Sequence, residues 1–253
     1  METDPRYGRE VEARSALSKT GIPGFDYCLN PYIGCRHACR YCYASFMKRF
    51  TGHAEEWGEF LDVRINLPEL LEREVRRKKK GIVMVSTVTD PYQRAEETYS
   101  ITRRCLMILA KARWRVSILT KSPLVLRDIE VLSLFEDIEV GLTVTTDDES
   151  VRKVIEPNAP PLAERMRALS ELRAAGISTY AFVGPILPIK DPPNFAAELG
   201  KIADSVLLDR MNYSGKVKSL YRREKFSEYL EPEYFDMIER ILVKELSDKA
   251  EVI

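Results

Sequence analysis

The chain has 253 residues and a mass of 29.1 kDa, with 45% hydrophobic and 31% charged residues. That composition excludes wholesale disorder and fits one large α/β domain or two small ones. Thirty-nine Lys and Arg balance thirty-nine Asp and Glu, which argues against nucleic-acid binding by bulk charge and leaves only a local basic patch open.

The elements alternate along the chain. Residues 25–32 (FDYCLNPY) form a candidate first strand. Residues 82–86 (IVMVS), 116–120 (VSILT), 138–145 (IEVGLTVT), 179–183 (TYAFV) and 205–208 (SVLL) are short apolar runs, the pattern of buried strands. Helices are expected between them. Residues 67–80 place Pro68 in the first turn and stop at Gly81. The run Arg76-Arg77-Lys78-Lys79-Lys80 would then sit at the negative end of that helix dipole. Residues 98–112 predict a second helix. Residues 124–134 predict a third, after Ser122 and Pro123 as N-cap and first helical residue. Residues 162–175 end at Gly176, a short helix covers about 194–203, and Pro232 opens a last helix over 233–246.

Six strand–helix units predict parallel strands and an α/β fold, either a partial (β/α)6 TIM-like barrel or an open doubly wound sheet. In a barrel the active site lies at the C-terminal strand ends. A single domain is expected, with a core over about 25–213 and a helical extension over about 214–253. No run approaches the ~18 apolar residues of a membrane span. The N-terminal METDPRYGRE lacks the apolar stretch of a secretion signal, so a cytoplasmic protein with no membrane partner is expected.

The five cysteines are Cys28, Cys35, Cys39, Cys42 and Cys105. An odd number without a secretion signal argues against a disulfide framework. Cys35, Cys39 and Cys42 are spaced C-x3-C-x2-C on one loop, and soft thiolates favour zinc, copper(I) or iron–sulfur centres. A structural zinc site needs a fourth ligand. His37 lies cramped between two of the cysteines, and His53 is the only other histidine. A [4Fe–4S] cluster on three cysteines has no such shortage and leaves one iron open. Cys28 and Cys105 read as structural.

The segment NPYIGCRHACRYCYA, residues 30–44, has Tyr41 just before its last cysteine. It resembles the cluster loop of radical S-adenosylmethionine (SAM) enzymes, in the branch that contains spore photoproduct lyase. TDPYQ (89–93), TKSPL (120–124) followed by Arg127-Asp128, EPNAPPLAERMRAL (156–169) and GPILP (184–188) fit the same branch in the same order. The resemblance covers about residues 25–213 and favours the barrel.

The resemblance implies that Cys35, Cys39 and Cys42 hold a [4Fe–4S] cluster whose open iron binds SAM. One-electron reduction of SAM then gives methionine and a 5′-deoxyadenosyl radical that takes hydrogen from a substrate. The electron would come from a reductant such as a ferredoxin or flavodoxin. Tyr41 is expected near the adenine and Tyr43 near the amino group. Ser86 and Thr87 would face the methionine part, and Thr143 the ribose. Lys121 and Ser122 end the third strand, where the lysine would neutralise the SAM carboxylate, and Arg165 would reach that carboxylate from its helix. Asp90, Tyr92 and Gln93 would line the mouth and meet substrate.

Spore photoproduct lyase acts on a thymine dimer in DNA and uses an extra cysteine as hydrogen donor. Around the second strand this chain offers Val85-Ser86-Thr87, without a cysteine. A relative is expected, not the lyase itself. Residues 216–225 (KVKSLYRREK) interleave cations with Tyr221, a pattern that suits nucleic acid and also a solvated helix face. The competing class is a non-catalytic zinc module that binds nucleic acid.

Overall fold

A computed structural model describes residues 8–247 and 250–252. Residues 1–7, which carry most of METDPRYGRE, lie outside the described residues. Six strands form the barrel wall. They are β1 (Tyr27–Leu29), β2 (Ile82–Val85), β3 (Arg115–Thr120), β4 (Ile138–Thr143), β5 (Ser178–Val183) and β6 (Ser205–Leu208). Each pairs in parallel with the next, so sequence order is sheet order. The sheet is a partial barrel with two edges among the described residues. Ser18–Lys19 pairs antiparallel on β1, and Glu251–Val252 pairs parallel on β6.

Alternation along each strand separates two faces. Val83, Val85, Ile118, Leu142 and Ala181 join the core beneath the helices. Met84, Leu119, Thr143 and Phe182 face the barrel interior, where they line a cavity. Helix Leu162–Ala174 buries Leu162, Arg165, Ala168, Leu169 and Leu172, spaced as one helical face. The last helix, Pro232–Leu246, adds Ile238, Leu242 and Leu246 to the same core as the barrel strands.

The first helix departs from the sequence reading. It ends at Glu74, so the basic run 76–80 lies beyond it and not in its last turn. The Glu74 carboxylate accepts from the backbone N–H groups of Ala16 (3.0 Å) and Leu17 (2.8 Å), and Lys78 donates to the Leu17 carbonyl at 2.5 Å. These bonds turn the chain toward β2. The second helix is also broken. Ser100 adopts φ +49° between Glu96–Tyr99 and Ile101–Lys111. The buried Glu96 carboxylate caps the second piece, accepting from Thr102 N–H at 2.9 Å and Arg103 N–H at 3.1 Å. Cys105 lies on the buried face of that piece. The third predicted helix is a 3-10 turn, Pro123–Asp128, followed by one helical turn, Ile129–Leu132.

A second, three-stranded sheet was not expected from the sequence, and it takes Tyr32 from the end of the expected first strand. Tyr32–Ile33 pairs with Asp62–Arg64, which pairs in turn with Arg9–Val11. It joins the two ends of the long excursion that carries the cysteines.

Gly141 in β4 sits in register with Tyr180 in β5. A Cβ on Gly141 would lie 2.2 Å from the Tyr180 ring, whose hydroxyl donates across the barrel to the Ile118 carbonyl at 3.2 Å. Gly141→Ala is therefore expected to destabilise the fold by about 1–3 kcal/mol through overpacking. Thermal melts should show the loss, and Tyr180→Leu in the same chain should restore part of it. An unchanged melting temperature would refute the contact.

Candidate active site at the carboxyl ends of the strands

Cys35, Cys39 and Cys42 all line one cavity of about 460 Å³ at the C-terminal strand ends. The loop that carries them is held by its backbone. Gly34 has φ +88°, and a Cβ there would meet the Phe60 carbonyl oxygen at 2.6 Å. The Gly34 carbonyl accepts from Thr89 Oγ1 at 2.5 Å and from Gln93 Nε2 at 3.4 Å. Arg36 N–H donates to Gln93 Oε1 at 3.1 Å. Farther along, Arg40 N–H donates to the Ile155 carbonyl at 2.9 Å, and Asn158 N–H donates to that of His37 at 3.3 Å. Ala38, between two of the cysteines, adopts φ +55°, an uncommon conformation for a residue with a side chain.

Burial raises the pKa of all three thiols above the usual range, with that of Cys39 pushed up to about 12. Lys121 opposes that shift at Cys39 and Cys42. Burial thus works against the thiolate form that a metal centre would need. Among the described residues, no three His, Cys, Asp or Glu side chains converge as ligands of one metal ion. A polynuclear cluster asks for a different arrangement, with its thiolates spread over several irons.

The strand ends supply polar groups. Ser86, just after β2, takes φ +69°, and its Oγ is buried without a hydrogen-bond partner at the cavity wall. Such an orphan hydroxyl is available to a bound polar group. Thr87 and Val88 donate their N–H groups to Asn30 Oδ1 at 2.9 and 3.1 Å. Tyr43 donates its hydroxyl to the Thr87 carbonyl, and its ring stacks on Tyr213 at 5.9 Å. The segment Asp209 to Tyr213 closes one side of the cavity. Lys216 then reaches the Cys42 carbonyl at 2.7 Å.

Glu156 organises the site and was missed as a functional residue, although it opens the EPNAPP segment. It is fully buried and pairs with Arg165 Nη1 at 2.7 Å and Lys121 Nζ at 3.8 Å. Tyr41 donates its hydroxyl to the same carboxylate. Burial alone would raise the Glu156 pKa, but Arg165 and Lys121 outweigh it and hold the carboxyl at about 2. Burial likewise pulls Lys121 down, and Glu156 keeps it charged. The Lys121 ammonium lies 5.7 Å from the Tyr41 ring centroid.

The structure brings Tyr41, Tyr43, Ser86, Thr87, Asp90, Lys121 and Thr143 to the cavity with the three cysteines. It places four expected site residues elsewhere. Arg165 does not line the cavity: it bonds Glu156, the Pro160 carbonyl (2.9 Å) and the Thr143 carbonyl (3.1 Å), and leaves its buried Nη2 without a partner. Ser122 caps the following turn by accepting from Leu124 N–H at 3.2 Å. Tyr92 has no exposed surface and belongs to the hydrophobic core. Gln93 spends its amide on the Gly34, Arg36, Thr89 and Asp90 contacts and is a bracket for the cysteine loop. Asp90 reaches the cavity but is engaged by Thr120 Oγ1 (2.7 Å), Lys121 N–H (2.8 Å) and Tyr92 N–H (2.9 Å). Tyr221 is also corrected: it is buried in a small core with Val151, Ile155, Leu187 and Val217, and offers no face to a nucleobase. Cys28, read as structural, is half-buried on β1 in register with Met84.

Glu156→Gln leaves two buried cations uncompensated and is expected to cost about 3–5 kcal/mol near neutral pH. Its folded-state pKa is depressed, so its contribution is present above the ordinary 4.5 and is lost as pH falls through about 2. Denaturant titrations should show the gap between wild type and variant closing over that window. A gap that does not change with pH would refute the assignment.

The profile of the radical SAM superfamily matches residues 29–198. An uncharacterised protein of Methanocaldococcus jannaschii is 36% identical over 233 residues, covering 92% of this chain and 85% of its own length. An uncharacterised protein of Mycobacterium tuberculosis is 32% identical over 190 residues, 71% of this chain but 56% of that protein. Among solved structures, a spore photoproduct lyase variant superposes with a TM-score of 0.71 at 12% identity, over 96% of this chain and 80% of that one. Streptococcus suis SuiB bound to S-adenosylmethionine gives a TM-score of 0.54 at 12% identity, over 89% of this chain and 49% of that one. The chain belongs to the radical SAM superfamily and has the fold of spore photoproduct lyase.

Proposed function

We propose that this protein is a radical SAM enzyme whose [4Fe–4S] cluster is held by Cys35, Cys39 and Cys42. The observation that carries the reading is their shared cavity with Lys121, Ser86 and Thr143 at the strand ends. When bound, the cluster supplies the electron that cleaves SAM to methionine and a 5′-deoxyadenosyl radical, the species that takes hydrogen from a substrate not yet identified. Nucleic acid stays among the candidate substrates.

The chain's own residues bind and orient. Lys121, kept charged by Glu156, neutralises the SAM carboxylate. The orphan Ser86 hydroxyl and Thr87 meet the methionine part, Thr143 the ribose, Tyr41 the adenine and Tyr43 the amino side. Asp90 fixes the start of the Lys121 turn through Thr120 Oγ1 and the Lys121 N–H. Arg165 holds Glu156 in place from behind. A reductant protein delivers the electron.

Anaerobic reconstitution with iron and sulfide is expected to give a brown protein. With SAM and dithionite it should release 5′-deoxyadenosine and methionine, and a variant with Cys35, Cys39 and Cys42 all changed to Ala should release none. A colourless protein that takes up zinc and refuses iron would overturn the reading. A synthetic spore photoproduct should remain unrepaired. In the reconstituted protein, Lys121→Ala is expected to weaken SAM binding about 10- to 100-fold by calorimetry, the value of a lost charged contact. Wild-type affinity in that variant would remove Lys121 from the SAM site.

A further inference from the structure

The cysteine loop has a second side. His37 lines the site cavity and also a separate groove of about 800 Å³, so the loop is the wall between them. The groove is built from the outer faces of the same motif segments that shape the site: Arg36 from the cysteine loop, Arg94 after TDPYQ, Ser122 in TKSPL, Asn158 in EPNAPP and Arg167 on the helix that follows. Three arginines and one glutamate, Glu97, line it, in a chain whose charges balance as a whole. Arg94 and Arg167 are exposed, and Arg167 also reaches Glu171 at 2.5 Å.

We propose that this groove docks a small acidic one-electron carrier protein, which reduces the cluster through the loop. The proposal rests on the radical SAM reading above. The groove is basic and faces outward, and one loop separates it from the thiols. The site cavity is flanked by other residues, Tyr43 and Tyr213, which do not line the groove. Substrate and reductant therefore approach from separate surfaces. Weak redox encounters use small interfaces, and complementary charge sets their association rate and partner choice.

The test compares reconstituted wild type with the double variant Arg94→Glu/Arg167→Glu. Neither residue lines the site cavity. The probe is an acidic flavodoxin in its reduced form, titrated anaerobically onto each protein at low and high salt. The variant should bind it at least tenfold more weakly at low salt, and the difference should shrink at high salt as the charges are screened. Dithionite needs no docking surface, so dithionite-driven SAM cleavage should be equal in the two. Equal flavodoxin affinity at low salt would overturn the proposal. So would loss of affinity for a single-stranded oligonucleotide with flavodoxin binding intact, which would make the groove a nucleic-acid surface. If wild type cleaves no SAM with dithionite, the radical reading fails on its own account, and the flavodoxin titration still decides the surface.

Discussion

Glu156 has no exposed surface, yet four parts of the chain meet on its carboxylate: Tyr41 from the cysteine loop, Lys121 from the end of β3, Thr145 from just beyond β4 and Arg165 from the helix behind the site. Taking charges out of water costs several kcal/mol per ion, so such a network is a poor source of net stability. Its effect is geometric. One carboxylate, held by a guanidinium, fixes an ammonium at the cavity wall and an aromatic ring below it. The two cations and one carboxylate leave a positive balance beside the Cys39 thiol, and both cations favour its ionised form.

The rest of the site is positioned by backbone. The Gly34 carbonyl and the Arg36 N–H are tied to residues 89–93, and the Arg40 N–H and the His37 carbonyl to residues 155–158. The small sheet closes the excursion at Ile33 and Asp62. Side chains that looked like ligands in the sequence, such as Gln93, turn out to be these ties. These ties order the loop without any contribution from the thiols.

Much of this was legible in the sequence. The six strands follow from apolar runs of the right length, and the barrel order follows from their alternation with helices. The cysteine loop is legible because its spacing is dense and its aromatic neighbour is fixed. Other features depend on tertiary partners. Helix Leu67–Glu74 ends at the residue whose carboxylate serves Ala16 and Leu17, more than fifty residues away in sequence. Tyr92 and Gln93 follow Asp90 at a strand end, but the turn aims one into the core and the other at the cysteine loop. Glu156 stood in plain view at the head of EPNAPP. Nothing local marked it, since Tyr41, Lys121, Thr145 and Arg165 reach it from four separate parts of the chain.

Lys216 grips the carbonyl of Cys42 across 174 positions of chain. Ribosomes add about 5–20 residues per second, so roughly 9–35 s of synthesis separate the cysteine loop from the lysine that ties it. In a nascent chain that tie comes after the segments around Gln93 and Ile155, which hold the earlier amide and carbonyl groups of the loop, have already been made.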